Sequence, residues 1–164
     1  MSAIDLFLEH QKSLSIVARR YTKCIEDAED VMQESAIKIW TKSDSLESVN
    51  NARAWMMTIV RNTAIDMYRR KVNNKLVYDS DIVYTQQNVT EEPSDEYFRS
   101  IPTNVVNDAI KSLSDSYRTV ATMYLLEGLS HKEISTTLNV AIGTSKSNLS
   151  KAKKNVINYI NKNT

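Results

Sequence analysis

Two glycines and two prolines serve a chain of 164 residues. A β-sandwich or barrel needs a turn about every 8–12 residues, and those turns draw heavily on glycine and proline. A loop that cradles phosphate needs its glycines together, whereas Gly128 and Gly143 stand apart. The chain therefore reads as all-α. Apolar residues make up 41% and charged residues 25%, enough apolar material for a core and too much for a disordered tail.

The net charge of +1 conceals a strong asymmetry. Residues 1–71 carry 11 basic and 10 acidic side chains, residues 72–103 carry two and six, and residues 104–164 carry eight and four. The middle stretch also holds both prolines and shows no sustained apolar period. So long a run without periodicity is unusual inside a compact domain, and it reads as a flexible acidic linker. Two small helical domains, 1–71 and 104–164, are expected on either side.

Several chemistries drop out. Cys24 stands alone, which excludes an internal disulfide and a cysteine metal cluster and fits a reducing, cytoplasmic setting. The opening MSAIDLFLEHQKSLS has no basic stretch followed by an apolar run, so it does not read as a signal peptide. Nowhere are 18 consecutive residues apolar, so no membrane span is expected. The histidines are His10 and His131, and His131 falls near the start of a helix, where solvent exposure is expected. Without a nucleophile–base pair or clustered ligands, neither an enzyme nor a metal or other cofactor is expected.

Placing residues at 100° intervals puts Ala28, Val31, Met32, Ser35, Ala36 and Ile39 on one face of a helix over 27–40. The opposite face carries Asp30, Gln33, Glu34 and Ile37. An acidic-amide patch with an aliphatic centre suits a basic partner helix, although a solvated face with one outlying isoleucine has the same composition. A second helix over about 52–70 buries Met56, Ile59, Val60, Thr63 and Met67, and turns Thr58, Arg61, Asn62, Ile65 and Arg69 outward. It ends on Arg69, Arg70 and Lys71, which suits a helix dipole or a passing phosphate backbone. The preceding Ser45–Asn51 reads as a loop whose amides and hydroxyls can address a base edge.

The C-terminal domain is more explicit. Ser114 is placed to cap a helix carrying Tyr117, Val120, Ala121, Tyr124 and Leu125, with Gly128 as its stop. Ser130 and Glu133 have the spacing of a capping box opening a short helix through Leu138. A tight turn over Asn139–Gly143 and an N-cap at Thr144 then start the last helix. That helix buries Leu149, Ala152, Val156 and Ile160 and presents Ser147, Lys151 and Lys154, flanked by Lys146, Asn148 and Ser150. From Thr144 onward there are five lysines and no acids. A solvated face usually mixes signs, so the pattern favours the reading helix of a helix-turn-helix.

Laid out this way, the chain resembles an extracytoplasmic-function sigma factor of the sigma-70 family. Asp27-Ala-Glu-Asp-Val-Met-Gln-Glu-Ser-Ala-Ile-Lys-Ile-Trp40 is similar to the core-polymerase helix of region 2, and Arg53-Ala-Trp-Met-Met-Thr-Ile-Val-Arg-Asn-Thr-Ala-Ile-Asp66 to its −10 helix. Glu127-Gly-Leu-Ser-His-Lys-Glu-Ile-Ser135 with Gly143-Thr-Ser-Lys-Ser147 is similar to region 4, which reads the −35 element. The resemblance implies core RNA polymerase and promoter DNA as partners, with the β′ clamp helices meeting Asp30, Gln33, Glu34 and Ile37. Region 4 would meet the β flap. The resemblance also implies that Leu46 to Asn51, through Ser48, Asn50 and Asn51, capture a flipped −10 base, with Arg61, Asn62, Asp66 and Arg69 lining the single-strand track. Lys146, Ser147, Asn148, Ser150, Lys151 and Lys154 would contact the −35 element. The acidic linker would thread the RNA exit path, and a cognate anti-sigma factor would restrain the protein by covering the docking face or wedging between domains.

Two departures stand out. Family members often carry arginines on the reading helix where this chain has Asn148, Lys151 and Lys153, and lysine forks guanine less rigidly. Ser145 replaces a common aliphatic residue and is expected to weaken local packing. The competing reading is a helix-turn-helix regulator that acts without replacing the polymerase specificity subunit. About five cations on one helix are few for tight solitary DNA binding.

Overall fold

A computed structural model describes residues 2–74 and 93–163, in two compact units, Met1–Asn74 and Lys75–Thr164. No strand occurs among the described residues. Unit 1 contains α1 (Ala3–Tyr21), α2 (Ile25–Thr41) and α3 (Ala52–Asn74), with a 3₁₀ turn over Ser43–Ser48. Unit 2 contains α4 (Asp95–Ser100), α5 (Thr103–Lys111), α6 (Asp115–Ala121), α7 (His131–Leu138) and α8 (Ile142–Lys162).

In unit 1 each helix packs on the other two. Helix α1 opens with a capping box in which Ser2 and Asp5 satisfy each other's backbone N–H groups, and these bonds hold the Asp5 carboxyl below its ordinary range. Helix α2 buries Ala28, Val31, Ser35 and Ile39, the expected stripe, with Met32 and Ala36 half-buried at its margins. Leu14, Val17 and Ala18 of α1 and Met56 and Val60 of α3 are buried as well, and all three helices pack on one another. Helix α3 departs from expectation at Ile65, which is buried although it lies opposite Met56. With Ala64 also buried, the second half of α3 sheds apolar surface on more than one side, so no single stripe describes it.

Unit 2 gathers Val106, Ala109, Ile110, Leu113, Tyr117 and Ala121 from α5, α6 and the segment between them against Ala152, Val156, Ile157 and Ile160 of α8. Helix α6 runs on into a π turn over Thr122–Leu126 and stops at Gly128, whose φ of 73° gives the left-handed termination expected. Ser114 occupies the N-cap position of α6 without making a side-chain cap bond. The buried Arg118 guanidinium instead ties this corner to the Leu113 carbonyl at 3.1 Å and to the Asp115 carboxylate.

The expected linker is narrower than 72–103. Val72–Asn74 continue α3, and Asp95–Ser100 form α4 because Ser94 caps it, acids occupy its first turn and Phe98 enters the core of unit 2. Residues 75–92 of the linker assignment lie outside the described residues.

Candidate functional site

The outward face of α2 becomes a groove. Asp27, Asp30, Gln33, Glu34 and Ile37 of α2, with Met67 and Arg70 of α3, line an open cleft of about 530 Å³. All four residues singled out on this face are brought together there. Ile37 is 64% exposed, and Met67 lines the same cleft, so the exposed isoleucine has an apolar neighbour there. Arg70 places Nη2 within 3.0 and 3.2 Å of the two Glu34 carboxylate oxygens. Sequence periodicity missed Arg70 and put Met67 among the buried residues, because the groove arises only when α3 lies beside α2. Trp40, one turn beyond Ile37, is also exposed.

The segment expected to capture a base is partly committed to structure. Residues 43–48 form the 3₁₀ turn in place of the expected loop, and Ser48 donates its hydroxyl to the Ser45 carbonyl at 2.9 Å. Asn51 caps α3 by accepting the Ala54 N–H at 3.0 Å. Asn50 is exposed. Asn62, Asp66 and Arg69 share one face of α3, with Arg61 about 100° away and half-buried. Asp66 lies 3.6 Å from Lys38 and 3.8 Å from Arg69, so a carboxylate beside a proposed nucleic-acid track has cations on both sides. Ile65, expected to point outward here, turns inward.

The helix-turn-helix forms with one shift of register. Ser130 and Glu133 make both bonds of the capping box, and α7 ends at Leu138 as expected. The turn is set by Asn139 in the left-handed region (φ 58°, ψ 51°), a conformation asparagine tolerates. Helix α8 therefore starts at Ile142 with Ala141 at the cap. Gly143 and Thr144 lie inside its first turn and are neither turn nor cap.

Along α8, Lys146, Ser147 and Lys151 are exposed, and Asn148, Ser150 and Lys154 are half-buried. None of these six is withdrawn into the core. Lys153 is, at 5% exposure: its Nζ lies 2.8 Å from Asp95 Oδ1 and 5.4 Å from the centre of the Tyr124 ring. Bonds from Lys153 and then from Tyr124 hold the Asp95 carboxyl below its ordinary range. Two other expectations are corrected. His131 is half-buried, stacked on Tyr124 at 4.9 Å, with Nδ1 2.9 Å from Ser145 Oγ. Ser145 is fully buried, and its hydroxyl has a partner where a packing defect was expected.

Among the described residues no group of three or more side chains is arranged to hold a metal ion, and no helix is long and apolar enough to cross a membrane.

Comparison with known proteins bears on the whole chain. Sigma-70 region 2 matches residues 6–73 and Sigma-70, region 4 matches residues 104–156. The ECF RNA polymerase sigma factor SigL of Mycobacterium tuberculosis is 35% identical over 88% of this chain and 80% of its own length. SigW of Bacillus subtilis is 28% identical over 79% of this chain and 73% of its own. Among solved structures, the sigma factor RpoE in complex with the anti-sigma factor NepR from Bartonella quintana superimposes with a TM-score of 0.55. It is 27% identical and covers 93% of this chain and 92% of its own. CnrH, solved with the cytosolic domain of CnrY, shares the fold at 19% identity and a TM-score of 0.54, covering 99% of this chain and 89% of its own.

Proposed function

The chain belongs to the extracytoplasmic-function sigma factors of the sigma-70 family, which direct RNA polymerase to promoters and initiate transcription, and we propose that it divides this work between its two units. Unit 1 holds core polymerase by the α2–α3 groove and the melted −10 strand by Ser48, Asn50, Asn51, Arg61, Asn62, Asp66 and Arg69. Unit 2 reads the −35 duplex with Lys146, Ser147, Asn148, Ser150, Lys151 and Lys154, and rests on the β flap.

The groove carries this reading. An acidic rim around Ile37 and Met67 complements a basic amphipathic helix, the kind of surface that the clamp helices would have to present to it. The protein works in the cytoplasm, where polymerase and promoter are, and without chemistry of its own, as befits a non-catalytic family. The solved relative RpoE, bound to the anti-sigma factor NepR, supports a restraining partner of that kind, which would act by occupying the groove.

Run-off transcription from a genomic fragment library with purified core enzyme tests the assignment. Transcripts should start at a discrete promoter set only when this protein is added; none above core enzyme alone would refute it. Flipping a −10 base costs a few kcal/mol of stacking, so DNA binding without polymerase should be weak. Within the assembled enzyme, Lys146→Ala and Lys151→Ala should each weaken all promoters to a similar degree. Each should also lower the slope of log affinity against log salt by about 1, measured by filter binding.

A further inference from the structure

Helix α4 lies outside both family matches, which end at 73 and resume at 104, yet it is built into unit 2. Phe98 enters the core beside Val106, Tyr117 and Ile157. Asp95 divides its carboxylate: Oδ1 accepts from Lys153 Nζ at 2.8 Å and Oδ2 accepts from the Tyr124 hydroxyl at 2.8 Å. Lysine is almost never withdrawn from water without a counter-charge. Asp95 supplies it, and the ammonium also lies 5.9 Å from the Phe98 ring.

The second branch runs further. Tyr124 stacks on His131, and His131 meets Ser145, one turn into α8. Ser145 and Lys153 are eight residues apart, about 12 Å along the helix. Lys146, Ser147, Asn148, Ser150 and Lys151 all fall between these two anchor points. A rotation of α8 by ~10° about its axis would move a side-chain tip ~1 Å, more than a bidentate contact with a base edge tolerates.

We propose that Asp95 is a positioning residue for promoter recognition: α4 is the first helix of the DNA-reading unit, and its carboxylate fixes α8 directly at Lys153 and, through Tyr124 and His131, at Ser145. Lys153 is consequently a structural cation and takes no part in reading DNA. This rests on the reading of α8 as the −35 helix.

The test uses the full chain with core polymerase on a promoter recovered by the run-off selection, and on the same promoter with its −35 element replaced. Wild type must initiate on the first and favour it over the second; if it does not, the −35 assignment fails, whatever Asp95 does. Asp95→Asn keeps the shape of the side chain and removes its charge. It should lower the ratio of open complex on the intact over the altered promoter about tenfold, with affinity for core polymerase within twofold of wild type. Lys153→Met should reproduce that loss. A merely structural role would reduce the folded fraction on both templates alike, so an unchanged ratio for Asp95→Asn overturns the proposal. Asp95→Ala extends the series and, if it fails to fold, Asp95→Asn still decides.

Discussion

Glu34→Lys combined with Ile37→Asp is expected to lower affinity for core RNA polymerase about 100-fold or more, while unit 1 keeps its fold. The two side chains play different parts in the groove. Ile37 is the exposed apolar centre, and Glu34 is a rim carboxylate whose partner within the protein is Arg70. Central interface residues commonly cost about 2 kcal/mol or more when lost, and two such losses exceed a factor of 100 even when they add imperfectly. Reversing Glu34 also sets a lysine against Arg70 and against the basic helix expected in the groove. Neither residue is a core residue of unit 1, so the stability cost should stay near 0.5 kcal/mol per site. Fluorescence anisotropy of labelled core enzyme titrated with each variant gives the affinity, and circular dichroism checks the fold. Binding within threefold of wild type would move polymerase docking to another surface.

Where the sequence carried a local signal, the fold was legible. Ser130 and Glu133 announce α7 three residues apart, Gly128 announces the end of the segment before it, and the spacing of Ala28, Val31, Ser35 and Ile39 announces the buried face of α2. These depend on neighbours within one or two turns. The start of α8 was misplaced because glycine is the commoner marker of a turn, whereas Asn139 supplies the left-handed residue here. Helix α4 was absorbed into the linker because six residues are too few to establish a period. What anchors it lies far along the chain: Asp95 bonds to Lys153 and Tyr124, 58 and 29 residues away. The same distance effect governs the site. Asp30, Gln33, Glu34 and Ile37 could be found on one helix, but Arg70 belongs to the groove through an ion pair spanning 36 residues. Lys153 is the sharpest case: in a run of lysines its sequence looks like its neighbours', and only burial separates it from them.

Leu149→Ala should cost unit 2 about 3 kcal/mol, the typical penalty for emptying a fully buried leucine site. Leu149 is 2% exposed in the middle of α8, the helix on which α5, α6 and α7 all pack. At ~0.05–0.15 kcal/mol per residue the described part of unit 2, residues 93–163, is stable by roughly 4–11 kcal/mol, so the loss takes a large share of what holds α8 in place. The consequence should be selective. Promoter discrimination at −35 should fall steeply, while docking through α2 and α3 persists, because the groove is made from unit 1 alone. The tryptophans make this separable in one denaturation experiment. Both Trp40 and Trp55 lie in unit 1, so their fluorescence reports that unit, whereas far-ultraviolet circular dichroism reports helices of both. In urea, Leu149→Ala should shift the dichroism transition to lower concentration and leave the tryptophan transition in place. If both move together, the units unfold as one, and any defect in −35 reading would bring a polymerase-binding defect with it.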